Sequence, residues 1–492
     1  MELQFSKEVC PCLHSLVRQV QTQEQTQEIR LPEGMPDIGR VLGAWAQVLV
    51  RGKEWRGNGM HVTGGILGWA LYVPEDGTEP RCVDTWIPFQ MKWDFPETQR
   101  DGTIHVWPLV TGADARCVSA RKLLLRCGIS LLGEAMEPYG AELYRPEQVP
   151  EDVQVLKNSY PMVLPLEAGE MQFLIQESLD PGDARQLLTY IVHLQPTEQR
   201  ILSNRLVFRG VLKVHCLCKD PEGKLSSWDT ELPFSQFTEL DGSYSDQCTA
   251  DIQIIPTALE LERDEEGMVQ IKCAAAAQYV ICDRVMVETV EDAYSPARAV
   301  DIQTEVCSMP AQLDVQKQMV SMTAVIRDGK ILDAVFCSGH PQSMQNGDME
   351  KITVPGQFQM LYLDEEGLLQ GSSLKTEAGW DLPSDRNNRV KVRWQPGSMT
   401  VQPYMDGQEL TQELHVQAEV WEDSGFEAVS ALKIGEVQQL DPQRPSLILR
   451  KAGNQSLWVI AKSCGSTVDT VVQANSIQEA PEPDRILLIP VV

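Results

Sequence analysis

One interval, recurring at unrelated landmarks, constrains the fold of this chain more than any other feature. The segment Gly65-Ile66-Leu67-Gly68-Trp69-Ala70-Leu71-Tyr72, running into Pro74-Glu75-Asp76-Gly77, resembles Gly210-Val211-Leu212-Lys213-Val214-His215-Cys216 before Pro221-Glu222-Gly223. A third version is Gly356-Gln357-Phe358-Gln359-Met360-Leu361-Tyr362 before Asp364-Glu365-Glu366-Gly367. The leading glycines lie 210 − 65 = 145 and 356 − 210 = 146 residues apart. Asp84-Thr85-Trp86-Ile87-Pro88-Phe89 recurs as Asp229-Thr230-Glu231-Leu232-Pro233-Phe234, again 229 − 84 = 145 residues on. Leu123 to Cys127 matches Val269 to Cys273 and then Leu414 to Ala418, at intervals of 146 and 145. Short matches arise by chance, but a shared period does not, so three tandem copies of one domain are expected. The third is the most divergent, since Lys375 to Leu382 lacks the Pro-Phe signature.

Within a copy, apolar residues such as Val211, Val214 and Leu217 sit among polar ones, and Asp220-Pro221-Glu222-Gly223 supplies tight-turn chemistry. About seven short strands per copy, at spacings of roughly 8 to 12 residues, suit a small antiparallel β-sandwich or a partly closed barrel. Pro88-Phe89 and Pro233-Phe234 set strand edges and fill core, and Gly57-Asn58-Gly59 reads as a hairpin turn. Pro36-Asp37 predicts a short helix ending near Leu42, echoed at Pro181 to Leu188, because Pro and Asp favour helix starts. The apolar Val9, Leu13, Val17 and Val20 fall at helical spacing near the amino terminus. Such a helix either packs on the first copy or recruits something else. The expected organisation is mainly β. An amino-terminal amphipathic helix occupies 1–26, the first copy 27–138, a linker 139–167, the second copy 168–296, a linker 297–313 and the divergent third copy 314–440. A small α+β domain over 446–492 follows.

That last segment breaks the repeat. Leu447-Ile448-Leu449-Arg450 reads as a strand, Ser456 as the cap of a helix carrying Leu457, Ile460, Ala461 and Cys464, and Gly465 as its end. Ser466-Thr467-Val468-Asp469 has capping-box spacing for a second helix to about Asn475, and Arg485 to Pro490 closes as a strand. Strand, helix, helix, strand in so short a span is a minimal binding module.

Composition narrows the function. The 492 residues exceed what one core serves, at roughly 100 to 200 residues per domain. With 70 acidic against 42 basic residues the net charge is −28, the wrong sign for nucleic acid or anionic lipid. No stretch approaches the roughly 18 apolar residues a membrane span needs, and Met1 to Gln21 does not read as a secretory signal. A cytoplasmic chain without membrane insertion is expected. Its 13 scattered cysteines suit reduced thiols. Cys10 with Cys12 and Cys216 with Cys218 are C-x-C pairs that nothing completes into a zinc site, so neither metal nor cofactor is expected. No H-E-x-x-H, G-x-S-x-G or phosphate-binding glycine loop occurs, and the seven histidines form no local constellation, so no catalytic residue is assigned.

Two resemblances cover nearly the whole chain. Gly453-Asn454-Gln455-Ser456-Leu457-Trp458-Val459-Ile460-Ala461-Lys462, with Asn475 and Leu487-Leu488-Ile489-Pro490, resembles a LysM domain. Pro36-Asp37-Ile38, the glycine-led strands, and the Ile87-Pro88-Phe89 and Leu232-Pro233-Phe234-Ser235-Gln236-Phe237 stretches resemble the SPOCS domain (DUF3794) of sporulation proteins in endospore-forming Firmicutes. SPOCS repeats followed by LysM look like the SipL group of spore-coat morphogenetic proteins. The resemblance implies a non-enzymatic protein of the mother-cell cytoplasm that helps encase the forespore by binding the spore-coat morphogenetic ATPase on its surface. LysM domains more commonly bind N-acetylglucosamine-containing glycans such as peptidoglycan. On matching positions the binding groove takes Gly453, Asn454 and Ser456 at one junction and Ser476, Ile477 and Gln478 at the other. Trp458 is either core, groove wall or ligand contact. This segment departs from the pattern: Gln455 is an extra residue, Asn454 replaces the usual Asp, and Glu479 to Asp484 displaces the usual P-G-Q. Those departures favour a protein ligand over a sugar, with the acidic loop Glu479, Glu482 and Asp484 able to meet a basic patch.

Overall fold

The computed structural model describes residues 1–77, 79–96, 102–145, 148–182, 186–220, 222–308, 311–327, 329–384, 388–422, 425–438, 443–477 and 482–492. The chain is mainly β. Its first third contains β1 (Glu2–Gln4), β2 (Ser6–Arg30), β3 (Ile38–Arg56), β4 (Gly59–Pro74), β5 (Arg81–Asp94), β6 (Thr103–Ser119) and β7 (Lys122–Arg145). Next come β8 (Gln154–Leu179), β9 (Gln186–Lys219), β10 (Leu225–Tyr244), β11 (Thr249–Arg263) and β12 (Val269–Tyr294). The third segment has β13 (Arg298–Ser308), β14 (Ala311–Arg327), β15 (Gly329–Ser338), β16 (Gln342–Asn346), β17 (Met349–Asp364), β18 (Leu369–Pro383), β19 (Asn388–Tyr404), β20 (Gly407–Glu422) and β21 (Gly425–Val437). The carboxy-terminal module is β22 (Leu447–Lys451), α1 (Leu457–Cys464), α2 (Val468–Asn475) and β23 (Ile486–Pro490).

One pairing pattern recurs. Sheets β2-β7-β6, β8-β12-β11 and β14-β20-β19 each accompany a second sheet, β3-β4-β5, β9-β10 and β15-β17-β18, with β16 also on β17. In the first segment Ala44, Val48, Ile66 and Ala70 of one sheet meet Val106, Leu123, Leu125 and Ile129 of the other in one core. Phe208, Leu212 and Val214 meet Ile271 and Cys273 in the middle segment, and Phe358 and Met360 meet Leu410 and Leu414 in the third.

The segments also share a centre. Trp45, Trp69 and Leu71 join Leu188 and Leu217 from the middle segment and Val335 and Leu361 from the third in a single buried cluster. Strands β3 and β4 are therefore covered on both faces: Ala44, Ala46 and Val48 face their own core while Trp45 faces the shared centre. Such strands read as unbroken apolar runs rather than alternations. Buried glutamines tie the segments through the backbone. Gln47 Oε1 accepts from the Val192 amide (3.0 Å), Gln278 exchanges bonds with the Val106 amide and carbonyl (2.7 and 2.8 Å), and Gln359 donates to the Ala113 carbonyl (2.6 Å). At their outer ends β2 and β7, β8 and β12, and β13 and β21 converge on a second shared cluster containing Cys12, Ala141, Met162, Val287, Cys307 and Phe426.

Several sequence expectations are corrected. The helix expected over 1–26 is strand: β2 pairs with β7 from Ser6↔Arg145 to Arg30↔Lys122, and β1 pairs with β21. The short helix expected before Leu42 is the start of β3, and of its echo Gln186 to Leu188 begin β9, while Asp183 to Arg185 lie outside the described residues. Much of the linkers expected at 139–167 and 297–313 is strand, in β7, β8, β13 and β14. Register moves one landmark. Gly64 pairs with Phe89 as Gly210 pairs with Phe234, so the equivalent of Gly210 is Gly64 rather than Gly65; a slip of one residue would turn every side chain to the other face. The hairpin at Gly57-Asn58 joins Arg56 to Gly59, and Phe89 and Phe234 are buried on strands at sheet edges, as expected. The acidic turns share one mechanism. Asp220, Asp264 and Asp364 each accept, through Oδ1, the amides two and four residues on, and Gly223, Gly267 and Gly367 supply the positive φ that follows.

Candidate functional site

The carboxy-terminal module holds the residues that the sequence pointed to. Ser456 caps α1, its side chain accepting from the Val459 amide at 3.3 Å, and Gly465 ends the helix at φ 63°. Thr467, not Ser466, caps α2 by accepting from the Thr470 amide at 3.1 Å; Ser466 instead donates to the Pro490 carbonyl at 2.5 Å. Ser476 closes α2 in the left-handed region at φ 50°. Strands β22 and β23 pair antiparallel from Leu447↔Pro490 to Lys451↔Ile486. The first junction follows Lys451, which the register pairs with Ile486 at one end of the ribbon; the second begins at Ser476, directly after α2. Ala452 and Gly453 donate backbone bonds to Arg485 and Pro483 across that end, at 2.9 and 2.8 Å.

Gly453, Asn454 and Ser456 after β22 and Ser476 after α2 are exposed. Ile477 belongs to the core, 8% exposed, its amide bonded to the Val472 carbonyl at 3.1 Å. Gln478 and Glu479 lie outside the described residues. The additional residue Gln455 accepts from the Arg450 guanidinium, and Lys451 pairs with Asp484 at 3.4 Å, so both rims carry internal polar ties. Asn475, which sequence reasoning used only as a landmark, behaves as a short extra strand. Its side-chain Nδ2 donates to the Leu488 carbonyl (2.5 Å) and its Oδ1 accepts from the Leu488 amide (2.7 Å).

Trp458 turns away from this end and toward the middle segment. Its indole N–H donates to Asp292 Oδ2 at 2.7 Å, and its ring meets Tyr294 edge-on with centroids 4.8 Å apart. Lys462 Nζ reaches both Asp292 oxygens at 2.7 Å, and Tyr294 donates to the Ser466 carbonyl at 2.9 Å. Burial raises the Tyr294 phenol to about 12, keeping it a donor. Nothing in the sequence at Asp292 or Tyr294 announces this contact, because both partners are distant in the chain.

Other titratable groups serve the joints between segments. His215 lies 2.7 Å from Asp229 and 3.0 Å from Asp333, whose side chain is 1% exposed. Glu134 is held near 2: burial opposes its charge, and Arg18, Lys391 and His105 outweigh burial. Desolvation lowers half-buried His105 and buried His340 each to about 4 and leaves them neutral hydrogen-bonding groups. Cys216 and Cys218 are buried free thiols pushed up by burial. Among the described residues no group of three or more His, Cys, Asp or Glu could hold a metal ion, and no helix is long and apolar enough to cross a membrane.

Comparison with protein-family models gave no match, and comparisons with curated proteins and with solved structures gave none.

Proposed function

We propose that the chain is a non-enzymatic sporulation scaffold, three SPOCS-type β-sandwiches followed by a LysM-type module, that docks onto the spore-coat morphogenetic ATPase in the mother-cell cytoplasm. One observation carries this reading: Trp458 and Lys462 fasten the module to Asp292, so module and β-body face a partner as one surface. Weak contacts on a shared rigid frame reinforce one another through effective concentration, which suits a polymeric partner. The internal ties Arg450–Gln455 and Lys451–Asp484 further support a protein ligand, since they engage polar groups that a sugar would otherwise use.

A peptidoglycan-binding role is the second reading, favoured by the exposure of the polar residues Asn454, Ser456 and Ser476 at the two strand–helix junctions. Calorimetric titration of the full chain with the ATPase and with soluble N-acetylglucosamine-containing fragments separates the two. Saturable heat with the ATPase and none with glycan is the expected outcome. Heat with glycan alone would replace the scaffold reading by the second.

A further inference from the structure

A surface outside the groove carries its own implication. On the ribbon, Leu447, Leu449, Ile486 and Leu488 are 50%, 66%, 61% and 41% exposed, while Leu487 and Ile489 between them are fully buried. The cross-strand pair Leu449↔Leu488 and the alternation along both strands put the four exposed side chains on one face, which ends at Lys451, opposite Ile486 and neutralised by Asp484. That face is opposite the one that packs on α1 and α2. A contiguous aliphatic patch of this kind on an otherwise polar surface marks a contact site.

We infer that this face docks an amphipathic helix of a partner protein, one whose apolar stripe is flanked by basic side chains. The edges of the ribbon do not invite an added strand. Asn475 already occupies the Leu488 amide and carbonyl on the β23 edge, β22 carries Arg450 and Lys451, and Pro490 ends β23. The open face is five residues long, about 17 Å at ~3.4 Å per residue, and spans about three turns of a helix.

Charge selects among occupants. Residues 447–492 hold Arg450, Lys451, Lys462 and Arg485 against Asp469, Glu479, Glu482 and Asp484, so 4 − 4 = 0, and residues 1–446 carry the whole −28. A second copy of the chain or an anionic bilayer approaching the patch meets that field as repulsion, whereas a basic helix is drawn in. Exposed Glu482 at the ribbon's rim is placed to receive its cations, while Asp484 is engaged by Lys451.

The test uses the full chain and a labelled 14-residue Leu/Lys peptide arranged as an amphipathic helix, beside a scramble of the same composition. Substitutions L449S/L488S remove apolar surface without changing charge, and unchanged thermal unfolding confirms that the fold is kept. One-to-one binding that weakens at least tenfold in the variant, and at least tenfold for the scramble, is expected. Equal binding by variant and wild type would place the peptide on the acidic body and overturn the inference. Micromolar self-association of the wild type, or capture by phosphatidylglycerol vesicles, would overturn it in favour of a second copy or a membrane if L449S/L488S abolished either one. These outcomes are separate from ATPase binding, which the inference does not require.

Discussion

His215 sits between carboxylates of two segments, Asp229 beside it in the middle one and Asp333 across the joint in the third. Burial opposes its charge, but the hydrogen bonds and charges of both aspartates outweigh burial and raise it to about 10. A folded value above the unfolded ~6.5 means that its stabilisation is complete below about pH 6.5 and disappears as pH rises through about 10. H215Q should therefore lose about 3 kcal/mol near pH 6, because Asp333 is left buried without its cation. Denaturant titrations of both proteins should show that difference shrinking from pH 7 to 10; a constant difference would deny the ion pair its role. Glycine is equally specific. A Cβ on Gly64 would meet the Leu49 carbonyl and, at 2.7 Å, the Phe89 ring, and one on Gly210 would meet the Gln195 carbonyl at 2.6 Å and the Phe234 ring. G64A and G210A should each destabilise by about 1–3 kcal/mol, read from urea midpoints. This glycine–phenylalanine pairing was only half legible in the sequence: Phe89 and Phe234 were landmarks, but 89 − 64 = 25 against 234 − 210 = 24, so equal spacing named Gly65 and only the register names Gly64. It was illegible in the third segment, where the ring beside Gly356 is Phe336, supplied by β15 instead of β18.

Strands at the amino terminus show how tertiary partners override local spacing. Val9, Leu13, Val17 and Val20 have helical spacing, yet β7 offers β2 a ladder along its whole length, and Val9 and Val20 end up exposed. The continuous apolar runs of β3 and β4 were a missed signal of burial on two faces, which alternation alone cannot reveal. The module was legible nearly residue by residue, because caps and a left-handed glycine are local chemistry, whereas its anchor on Asp292 depends on distant chain. Two expectations belong at this scale. Phe5, 5% exposed, follows the β1 strand laid on β21, so F5A should cost about 3 kcal/mol and speed amide exchange at Ser430 to Ile434. D292A removes the acceptor of both Trp458 and Lys462, worth about 2 kcal/mol, and should raise proteolytic release of the module roughly 30-fold without changing the fold of the body. Unchanged cleavage would mean that the contact does not hold the module.

At the scale of the whole molecule, three similar segments are joined into one body. The repeat period was readable from the sequence; the shared centre was not, because Leu71, Leu217 and Leu361 look like ordinary strand residues until three segments meet around them. Cross-segment hydrogen bonds at Gln47, Gln278 and Gln359 and the His215–Asp333 ion pair add polar ties to that apolar centre. Such a body cannot lose one segment without exposing the faces of the others, which makes it a rigid frame for presenting the module and the ribbon face together. Native-state hydrogen exchange across a denaturant series tests this most directly, following the amides of Leu71, Leu217 and Leu361 in the full chain. The account predicts that the slowest amides of all three segments open with one common free energy and one denaturant dependence. Three separate opening energies, one per segment, would contradict it and reduce the molecule to independent beads on a string.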